Sequence, residues 1–437
     1  MKLIDWNRLE PSQAHKVLRR PGFETDKELA DEVSAIITAV RERGDSAVNE
    51  FTRRFDNVAV EIQCLPGAAF AQADGLLGSD IKAAIAGALS NIRRFHLAQV
   101  PEPSRVEVRP GVVCEKQLRA LGTVGLYVPG GSASLPSTML MLGVPSGIAG
   151  CPRRVLCTPP GKNGLPDPAI LHAAALTGIS EVFAVGGAQA IAAMAYGTES
   201  VPKVDKIFGP GNRWVTEAKQ QVTRDPGGAG IDMPAGPSEV MVIADKTASA
   251  EFVAADLLSQ AEHGPDSQVV VVTDSKGLLE NVERELSDQL GTLSRQEIAE
   301  AALAGSLRIL TRDLRQAVSI ANAYAPEHLI INTREPSALL GDITSAGSVF
   351  LGSWSAEALG DYCSGTNHVL PTNGFARYLS GLSVIDFMRS MTVQAVTEGG
   401  LSAIGPMAIT LARHEGLEAH ARAVELRLAR LARRASA

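Results

Sequence analysis

Residues 181–197 read EVFAVGGAQAIAAMAYG, and this stretch decides the fold. Its first five residues are mostly apolar and predict a short buried strand. Gly186 and Gly187 then predict a loop, and the Ala-rich run that follows is typical of a helix. A strand, a Gly-rich loop and a helix in this order are typical of a parallel α/β sheet, in which backbone at the carboxyl ends of the strands can approach a ligand closely.

The same pattern occurs on both sides of this stretch. Residues 124–128, 154–158 and 206–208 are predicted strands, each followed by a helix, and Gly-rich loops also begin at Pro129 and Gly209. Strands that alternate with helices indicate a parallel sheet with right-handed crossovers. The alternation resumes further along and predicts a second α/β sheet, with strands at residues 239–244, 268–273, 307–311, 329–332 and 348–351.

The remaining segments flank these two sheets. Residues 1–25 predict a short helical segment, residues 27–97 are helical in pattern, and residues 105–121 alternate as a hairpin. With residues 124–236 as an insertion, the helical and hairpin segments are expected to complete the second sheet. Beyond residue 380 we predict a short strand, Thr392–Thr397, and then helices rich in Arg and Ala. The predicted domains are a helical segment (1–25), a first α/β domain (26–123 plus 237–380), a second α/β domain (124–236) and a C-terminal tail (381–437).

Composition is that of an ordinary globular protein. The chain has 437 residues, of which 45% are hydrophobic and 20% charged, and its net charge of −7 argues against nucleic acid as the main partner. No run reaches the roughly 18 apolar residues that a membrane span needs. Residues 1–13 lack the apolar core of a signal peptide. We therefore expect a cytoplasmic protein with no membrane segment.

The five cysteines are an odd number without CxxC spacing, which is typical of reduced thiols. Cys114, Cys151 and Cys157 lie in or beside apolar runs, where a cysteine usually serves as a small buried side chain. A thiol nucleophile for aldehyde oxidation is the alternative.

Residues 249–263 have the spacing of a helix with Ser249 as its N-cap. Gln260 and His263 are three residues apart, so both should project from one face of the last turn. They could form half of a metal site or simply a polar surface. His263 and Asp361, together with one more histidine, would supply the nitrogen and oxygen ligands that zinc accepts.

Glu327 and His328 stand side by side in APEHL, at the mouth of a predicted strand. Pro326 fixes the turn, so the two side chains are expected to point in different directions. They could share proton transfer in one cleft, or they could belong to a solvated turn.

A nucleotide site is indicated, although the GxGxxG fingerprint is absent. Tyr127, Gln189 and Asn212 all fall at predicted strand ends or in the adjoining loops, so they could converge on one crevice. The alternative is that the glycines of these loops serve packing alone.

Seven runs together resemble the L-histidinol dehydrogenase family, over about residues 31–420. The most specific are LLSQAEHGPDS and GTNHVLPT, which follow DMPAGPSE in this order. The seven runs are VGLYVPGGSASLPSTMLM (124–141), FAVGGAQAIAAMAYGTESVPKVDKIFGPGN (183–212), IDMPAGPSEVMVIAD (231–245), LLSQAEHGPDSQV (257–269), APEHLII (325–331), TSAGSVFLG (344–352) and GDYCSGTNHVLPT (360–372).

The resemblance implies a zinc-dependent enzyme that oxidises L-histidinol to L-histidine via histidinaldehyde, using two NAD⁺, in the last step of histidine synthesis. It also implies two incomplete Rossmann-like sheets and a homodimer whose C-terminal tail reaches the neighbouring active site. Carried over by position, it implies that Glu327 and His328 are catalytic. The implied zinc ligands, one ion per subunit, are Gln260, His263, Asp361 and His420. The implied substrate contacts are these ligands, His328, Ser238, His368 and Glu415, and the implied NAD contacts are Tyr127, Gln189 and Asn212.

These residue types suit that chemistry. Removing hydride from an alcohol requires a base for the hydroxyl proton, and a neutral imidazole such as His328 can serve. The aldehyde must then be hydrated before it is oxidised again, and Glu327 is the natural group to activate that water. Neither step needs a thiol. Zinc is expected to orient the substrate by holding its amine and imidazole nitrogens.

Two other functions remain open at this point. A zinc hydrolase could use the same metal ligands with Glu327 to activate water, but it leaves the Gly-rich strand ends of residues 124–236 unexplained. A related zinc and NAD dehydrogenase could act on another small alcohol, such as a sulfonated diol, but Glu415 would repel a sulfonate. His368 and Ser238 favour a cationic substrate that carries an imidazole.

Overall fold

The protein was analysed as a computed structural model that describes residues 1–20, 26–59, 61–130, 134–234 and 236–435. Its contacts define two compact units: Met1–Gln99 with Leu121–Phe387, and Val100–Ala120 with Met388–Ala437. The strands in the described part are β1 (Lys2–Asp5), β2 (Ser104–Arg109), β3 (Val112–Ala120), β4 (Thr123–Tyr127), β5 (Arg153–Thr158), β6 (Glu181–Ala184), β7 (Lys206–Phe208), β8 (Gly230–Ile231), β9 (Glu239–Ala244), β10 (Gln268–Thr273), β11 (Leu307–Leu310), β12 (His328–Asn332), β13 (Ser348–Leu351) and β14 (Met388–Val396).

Helices account for most of the remaining described residues. The α-helices are α1 (Pro11–Val17), α2 (Lys27–Arg43), α3 (Asp45–Asp56), α4 (Gly67–Leu76), α5 (Ser79–Leu97), α6 (Pro136–Ala149), α7 (Pro168–Leu176), α8 (Gly187–Tyr196), α9 (Arg213–Arg224), α10 (Ala250–Ala261), α11 (Lys276–Leu290), α12 (Gln296–Ala304), α13 (Leu314–Tyr324), α14 (Ser337–Leu340), α15 (Glu357–Tyr362), α16 (Glu398–His414) and α17 (Glu418–Ala435). Short 3₁₀ helices occur at Trp6–Arg8, Phe375–Arg377 and Val384–Phe387.

The first sheet, sheet 1, is parallel and has the order β1-β11-β10-β9-β12-β13. Both of its faces are buried, because alternate residues of β9 enter two different cores. Val240 and Val242 pack with α10, α11 and α12, whereas Met241 and Ile243 pack with α13. Each of these four side chains is fully buried, which contributes about 1.5–3 kcal/mol apiece. The five strands predicted between residues 239 and 351 are confirmed.

The second sheet, sheet 2, is also parallel and has the order β6-β5-β4-β7-β8. The chain moves outward from β4 to β5 and β6, then returns to the other side of β4 with β7. The carboxyl ends of β4 and β7 therefore form a topological switch point, the usual place for a ligand in such sheets. The α/β class is confirmed. Counted from β9, sheet 1 repeats the same strand order, although the sequence shows no internal repeat.

The predicted role of the helical segment before residue 100 was wrong. Val33, Ile36, Ile37 and Val40 form the buried stripe of α2, and they belong to the core of sheet 2 together with α8 and α9. Helix α2 therefore helps to cover one face of sheet 2, α4 and α5 pack on α7 and α6, and the segment adds no strand to sheet 1. An amphipathic helix can cover either sheet, so its pattern alone did not determine the partner.

The strand that does extend sheet 1 comes from the beginning of the chain. Residues 2–5, expected to be helical, form β1, which runs parallel to β11 with Leu3 opposite Arg308. Ile4 is buried and Leu3 is exposed, because successive side chains of a strand point to opposite faces. The predicted helix within residues 1–25 is confirmed for α1, and residues 21–25 lie outside the described ranges.

The second unit contains an antiparallel sheet of order β14-β3-β2 followed by α16 and α17. The predicted hairpin is confirmed, and Gly111 turns it with a φ of +77°. The predicted strand Thr392–Thr397 is longer than expected, because β14 begins at Met388 and pairs along all of β3. The proposed domain boundaries and the use of the tail in dimerisation remain predictions.

No helix within the described ranges is both long and apolar enough to cross a membrane.

Candidate active site

Glu327 and His328 lie at the amino end of β12, inside sheet 1. The exposed fractions of these residues are 6% and 4%, so the interpretation as a solvated turn is wrong. The prediction that the two side chains point apart is wrong as well, because Oε2 of Glu327 lies 3.6 Å from Nδ1 of His328. Both groups are thus available to one enclosed site.

The main chain of Glu239 holds both members of this pair. Its N–H donates to Oε2 of Glu327 over 2.8 Å, and its carbonyl oxygen lies 3.1 Å from Nδ1 of His328. This is possible because β9 and β12 are adjacent and parallel, with His328 paired to Val240. A carbonyl can only accept, so Nδ1 carries a proton, and in the neutral ring Nε2 is the nitrogen that keeps its lone pair.

The side chain of Glu239 is neutralised by Arg20. The guanidinium contacts both carboxylate oxygens, with Nη2 to Oε2 at 2.8 Å, and also donates to the carbonyl of Tyr324 over 3.0 Å. It stacks on the ring of Tyr324 at 3.8 Å. Sequence reasoning missed Arg20 and Glu239, since no motif joins residues that are 219 positions apart.

Helix α15 supplies two more carboxylates. Oε1 of Glu357 lies 3.4 Å from Nδ1 of His328, and Oδ1 of Asp361 lies 3.5 Å from Nε2 of the same ring. Within the described part of the chain, Nε2 of His328 and Oε2 of Glu357 are buried without a hydrogen-bond partner. Glu357 was missed, although its position four residues before Asp361 predicts that both face the same way on a helix.

Gln260 enters the site from the last turn of α10 and is 1% exposed. Its amide fits best with the nitrogen 2.5 Å from Oε1 of Glu357 and the oxygen 2.9 Å from the N–H of Glu239. The N-cap role of Ser249 is confirmed. The prediction that His263 shares the last helical turn with Gln260 was wrong. Helix α10 ends at Ala261, and His263 lies in the following turn, where it is exposed.

His368 lies beside Asp361. Its Nδ1 is 2.7 Å from the carbonyl of Asp361, and its Nε2 is 3.1 Å from the hydroxyl of Thr138. Ser238 precedes β9, and its carbonyl accepts from the N–H of Gln268 over 3.1 Å. The structure thus brings together, beside sheet 1, the side chains of Gln260, Glu327, His328 and Asp361. His263 and His368 lie near Asp361.

Burial and mutual repulsion shift the pKa values of this cluster. Burial is the main cause that raises the pKa of Glu327 to about 8, and it holds the pKa of Glu357 well above its usual range. Burial disfavours the charged form of His328, but the carboxylates of Glu357, Glu327 and Asp361 outweigh it and raise its pKa to about 10. Burial alone would raise the pKa of Asp361, yet His328 lowers it.

The residues present fit a divalent cation. Ligand atoms of His328, Glu357 and Asp361 lie within 4.8 Å of one another, and Gln260 adds an amide. Imidazole nitrogen and carboxylate oxygen are ligands that zinc accepts. A cation among these carboxylates would relieve their repulsion and weaken the attraction that keeps His328 protonated. The ligand set Gln260, His263, Asp361 and His420 remains a prediction.

Two of the predicted NAD-contacting residues meet at the end of β4. The hydroxyl of Tyr127 accepts from the N–H of Gly187 over 3.0 Å, at the start of α8. Gln189 follows two residues later and is 1% exposed, and neither polar atom of its amide has a hydrogen-bond partner in the described ranges. A buried amide without partners is costly, so it fits a crevice that a polar ligand completes. Residues 131–133 of the predicted loop after β4 lie outside the described residues.

Asn212 begins α9 at the neighbouring strand end. Its side-chain oxygen accepts from the N–H groups of Trp214 and Val215, both at 3.1 Å, so it caps the helix. Its amide nitrogen is not used by the cap. The residue can therefore combine a structural role with a contact to a ligand.

Glu415 and His420 belong to the second unit, and both are exposed. They lie on two different helices. Glu415 ends α16 as its C-cap, Gly416 has a φ of +74°, and His420 lies in the first turn of α17.

Comparison with known proteins identifies the family of this chain. The sequence model described as "Histidinol dehydrogenase" matches residues 19–428. The chain belongs to the histidinol dehydrogenase family. The histidinol dehydrogenase of Xanthomonas euvesicatoria pv. vesicatoria (strain 85-10) is 56% identical over 98% of this chain and 99% of its own length. That of Vibrio parahaemolyticus serotype O3:K6 is 53% identical, with 99% of each chain covered.

A solved structure agrees with this assignment. The crystal structure of histidinol dehydrogenase from Elizabethkingia anophelis has a TM-score of 0.94 and 43% identity, and it covers 98% of both chains. The resemblance read from the motifs is therefore confirmed, and the chain is an oxidoreductase of histidine biosynthesis. Family membership implies the use of NAD.

Proposed function

We propose that the chain oxidises L-histidinol to L-histidine through histidinaldehyde at one site, consuming two NAD⁺ per substrate, as the last step of histidine synthesis. The observation that carries this proposal is the environment of His328. Its Nδ1 is held by the carbonyl of Glu239, its Nε2 has no hydrogen-bond partner in the described part of the chain, and Glu327 lies beside it. An imidazole base and a carboxylate that can activate water are therefore buried side by side.

The proposed metal ligands are Gln260, His263 and Asp361 from this site, with His420 as the fourth. When bound, zinc supplies a positive charge that orients the amine and imidazole of the substrate, and NAD⁺ supplies the hydride acceptor. The crevice formed by Tyr127, Gln189 and Asn212 at the switch point of sheet 2 is the proposed place for NAD⁺.

In the first oxidation, Nε2 of His328 accepts the proton of the alcohol hydroxyl while the carbon loses a hydride. Two electrons and two hydrogens leave the substrate, and the aldehyde remains. The hydrogen bond from Nδ1 to Glu239 keeps the ring in the tautomer and orientation that this transfer requires. A general base of this kind contributes about 10²–10⁴-fold to the rate.

In the second oxidation, Glu327 takes a proton from a water molecule that adds to the aldehyde and forms its gem-diol. The gem-diol is again an alcohol. Once His328 has released its first proton to solvent, its Nε2 accepts the hydroxyl proton of the gem-diol while a second hydride leaves and the carboxylic acid forms. Glu327 suits this role because burial places its pKa, about 8, close to neutral pH. It can therefore bind and release a proton within one turnover.

Substrate contacts by Ser238, His368 and Glu415 are part of the proposal, supported by their match to the family motifs. We also propose a homodimer in which His420 and Glu415 come from the partner subunit, and a cytoplasmic location. Exposure of both residues in the second unit is compatible with contacts to a second chain.

The substrate assignment is tested by following NADH absorbance with purified protein. We expect NADH to form from L-histidinol, to stop when a chelator removes the metal, and to return with added Zn²⁺. A sulfonated diol should give no signal under the same conditions. Turnover of the diol in place of histidinol, or hydrolysis without NADH, would overturn the proposal in favour of another alcohol dehydrogenase or a zinc hydrolase.

A further inference from the structure

A buried ion pair lies in sheet 2, apart from the cluster around His328. It joins Lys219 on α9 to Asp232, which follows β8, and the two side chains are 2% and 1% exposed. Lysine is rarely buried to this depth, because its ammonium loses its hydration. Such a pair persists only where further hydrogen bonds satisfy both charged groups.

Two of those further hydrogen bonds are made by the main chain of Gly209. Its N–H donates to Oδ2 of Asp232 over 2.7 Å, and its carbonyl accepts from Nζ of Lys219 over 2.8 Å. Asp232 also accepts from the N–H of Met233 over 2.7 Å. Both main-chain polar groups of Gly209 are therefore fixed by the ion pair.

Gly209 directly follows β7, at the topological switch point of sheet 2. Its φ is +122°, and a Cβ at this position would lie 2.0 Å from the carbonyl oxygen of Tyr127. Only glycine allows the loop after β7 to approach the end of β4 so closely. Three residues later the same loop reaches Asn212, which caps α9.

The ion pair thus sets the shape of the loop between Gly209 and Asn212. Lys219 lies about two turns along the helix that Asn212 begins, so it connects the start and the body of α9 to the strand end. Displacement of Gly209 would shift the backbone beside Tyr127 and the position of the Asn212 amide together. Both residues belong to the proposed NAD⁺ crevice.

We propose that Lys219 and Asp232 are positioning residues for NAD⁺, acting through Gly209. This inference rests on the proposed function, since it concerns the dinucleotide of that reaction. Loss of the pair should weaken dinucleotide binding and leave histidinol binding intact, because none of the proposed substrate residues belongs to sheet 2 or to α9. A pair that merely stabilised the fold would affect both substrates equally.

The test uses the paired variant Lys219→Met/Asp232→Asn in the full-length, zinc-loaded protein. Removing both charges avoids an unpaired buried carboxylate, so the variant should fold. We expect KM for NAD⁺ to rise about tenfold or more while KM for L-histidinol stays within about twofold. The dissociation constant of NADH, measured by its fluorescence, should rise in parallel.

Two further variants make the result interpretable. Lys219→Arg keeps the ion pair but replaces a compact ammonium with a planar guanidinium, so it should fold and show a smaller rise in KM for NAD⁺. Arg308→Met removes a less buried ion pair beside sheet 1, where Arg308 contacts Glu283 of α11 over 2.6 Å, and should leave KM for NAD⁺ unchanged.

An unchanged NADH dissociation constant in the folded paired variant, or in Lys219→Arg if the paired variant does not fold, would overturn this inference. An equal rise in both KM values would overturn it as well. Failure of the wild-type protein to reduce NAD⁺ with histidinol would instead contradict the proposed function. The two failures are therefore distinguishable.

Discussion

The backbone carbonyl of Glu239 lies 3.1 Å from Nδ1 of His328. The N–H of the same residue donates to Glu327 over 2.8 Å, so the first residue of β9 contacts both His328, which begins β12, and the carboxylate of the residue before it. The arrangement depends on Arg20, which neutralises the Glu239 carboxylate behind the site. Through its main chain, Glu239 therefore connects the Glu327–His328 pair to the salt bridge of its own side chain.

Arg20→Met should destabilise the protein strongly. Its partner Glu239 has a side chain that is 2% exposed, and removing one member of a buried pair typically costs about 3–5 kcal/mol. Urea denaturation should show a loss in the free energy of unfolding of this size. The control is Arg8→Ala, whose side chain is 86% exposed in its pair with Asp5 and should cost less than about 1 kcal/mol. Equal effects of the two substitutions would contradict the role assigned to Arg20.

Glu327→Gln and His328→Asn should affect the two oxidations differently. His328→Asn removes the base from both, so each NADH should form about 10²–10⁴-fold more slowly. Glu327→Gln removes the group that activates water, so the second NADH should be delayed more than the first. Single-turnover stopped-flow absorbance separates the two steps. A block of the first NADH alone in Glu327→Gln would show that the roles are assigned wrongly.

The thiols should be dispensable for catalysis. Burial raises the pKa of Cys151 to about 11 and raises that of Cys157 further, so both stay protonated at neutral pH and are poor nucleophiles. A thiol reagent at pH 8 should modify the exposed Cys64 quickly and these two only after unfolding. Cys151→Ala and Cys157→Ala should each keep turnover within about tenfold. A loss of several orders of magnitude in a folded, zinc-loaded variant would support a thioester mechanism.

Much of the fold was predictable from the sequence, because strands buried on both faces give continuous apolar runs. Val240–Ala244 and Val269–Val272 are such runs, and both are strands. The strand β1 was not predictable, since an edge strand of four residues with one inward side chain carries almost no pattern. The packing of α2 on sheet 2 could not be predicted either, because an apolar stripe does not identify the surface on which the helix packs.

Some residues of the candidate site could likewise be predicted from the sequence, and others could not. Glu327 and His328 could be found because they are adjacent in the chain, and the family motifs indicated Gln260 and Asp361. Arg20 and Glu239 could not be found, since their contact depends on the meeting of distant segments. Glu357 could have been predicted, because its spacing from Asp361 places both residues on one face of α15.

The proposed homodimer predicts composite zinc sites. In mixed dimers of His263→Asn and His420→Asn chains, one site carries both lesions and the other carries none. Random pairing gives half mixed dimers with half of their sites intact, so about one quarter of wild-type activity should return after co-refolding. Each parent alone should be nearly inactive. Exchanged dimers without recovered activity would place His420 in the zinc site of its own subunit or outside any zinc site.

The central claim is that one Glu-His pair serves two successive oxidations. Its most direct test is the amount of NADH formed per L-histidinol consumed, measured to completion with an aldehyde-trapping reagent in solution. We expect two NADH per histidinol, L-histidine as the product and no trapped histidinaldehyde, because the aldehyde stays in the site until Glu327 and His328 complete its oxidation. One NADH per histidinol, or a stoichiometric yield of trapped aldehyde, would contradict the account.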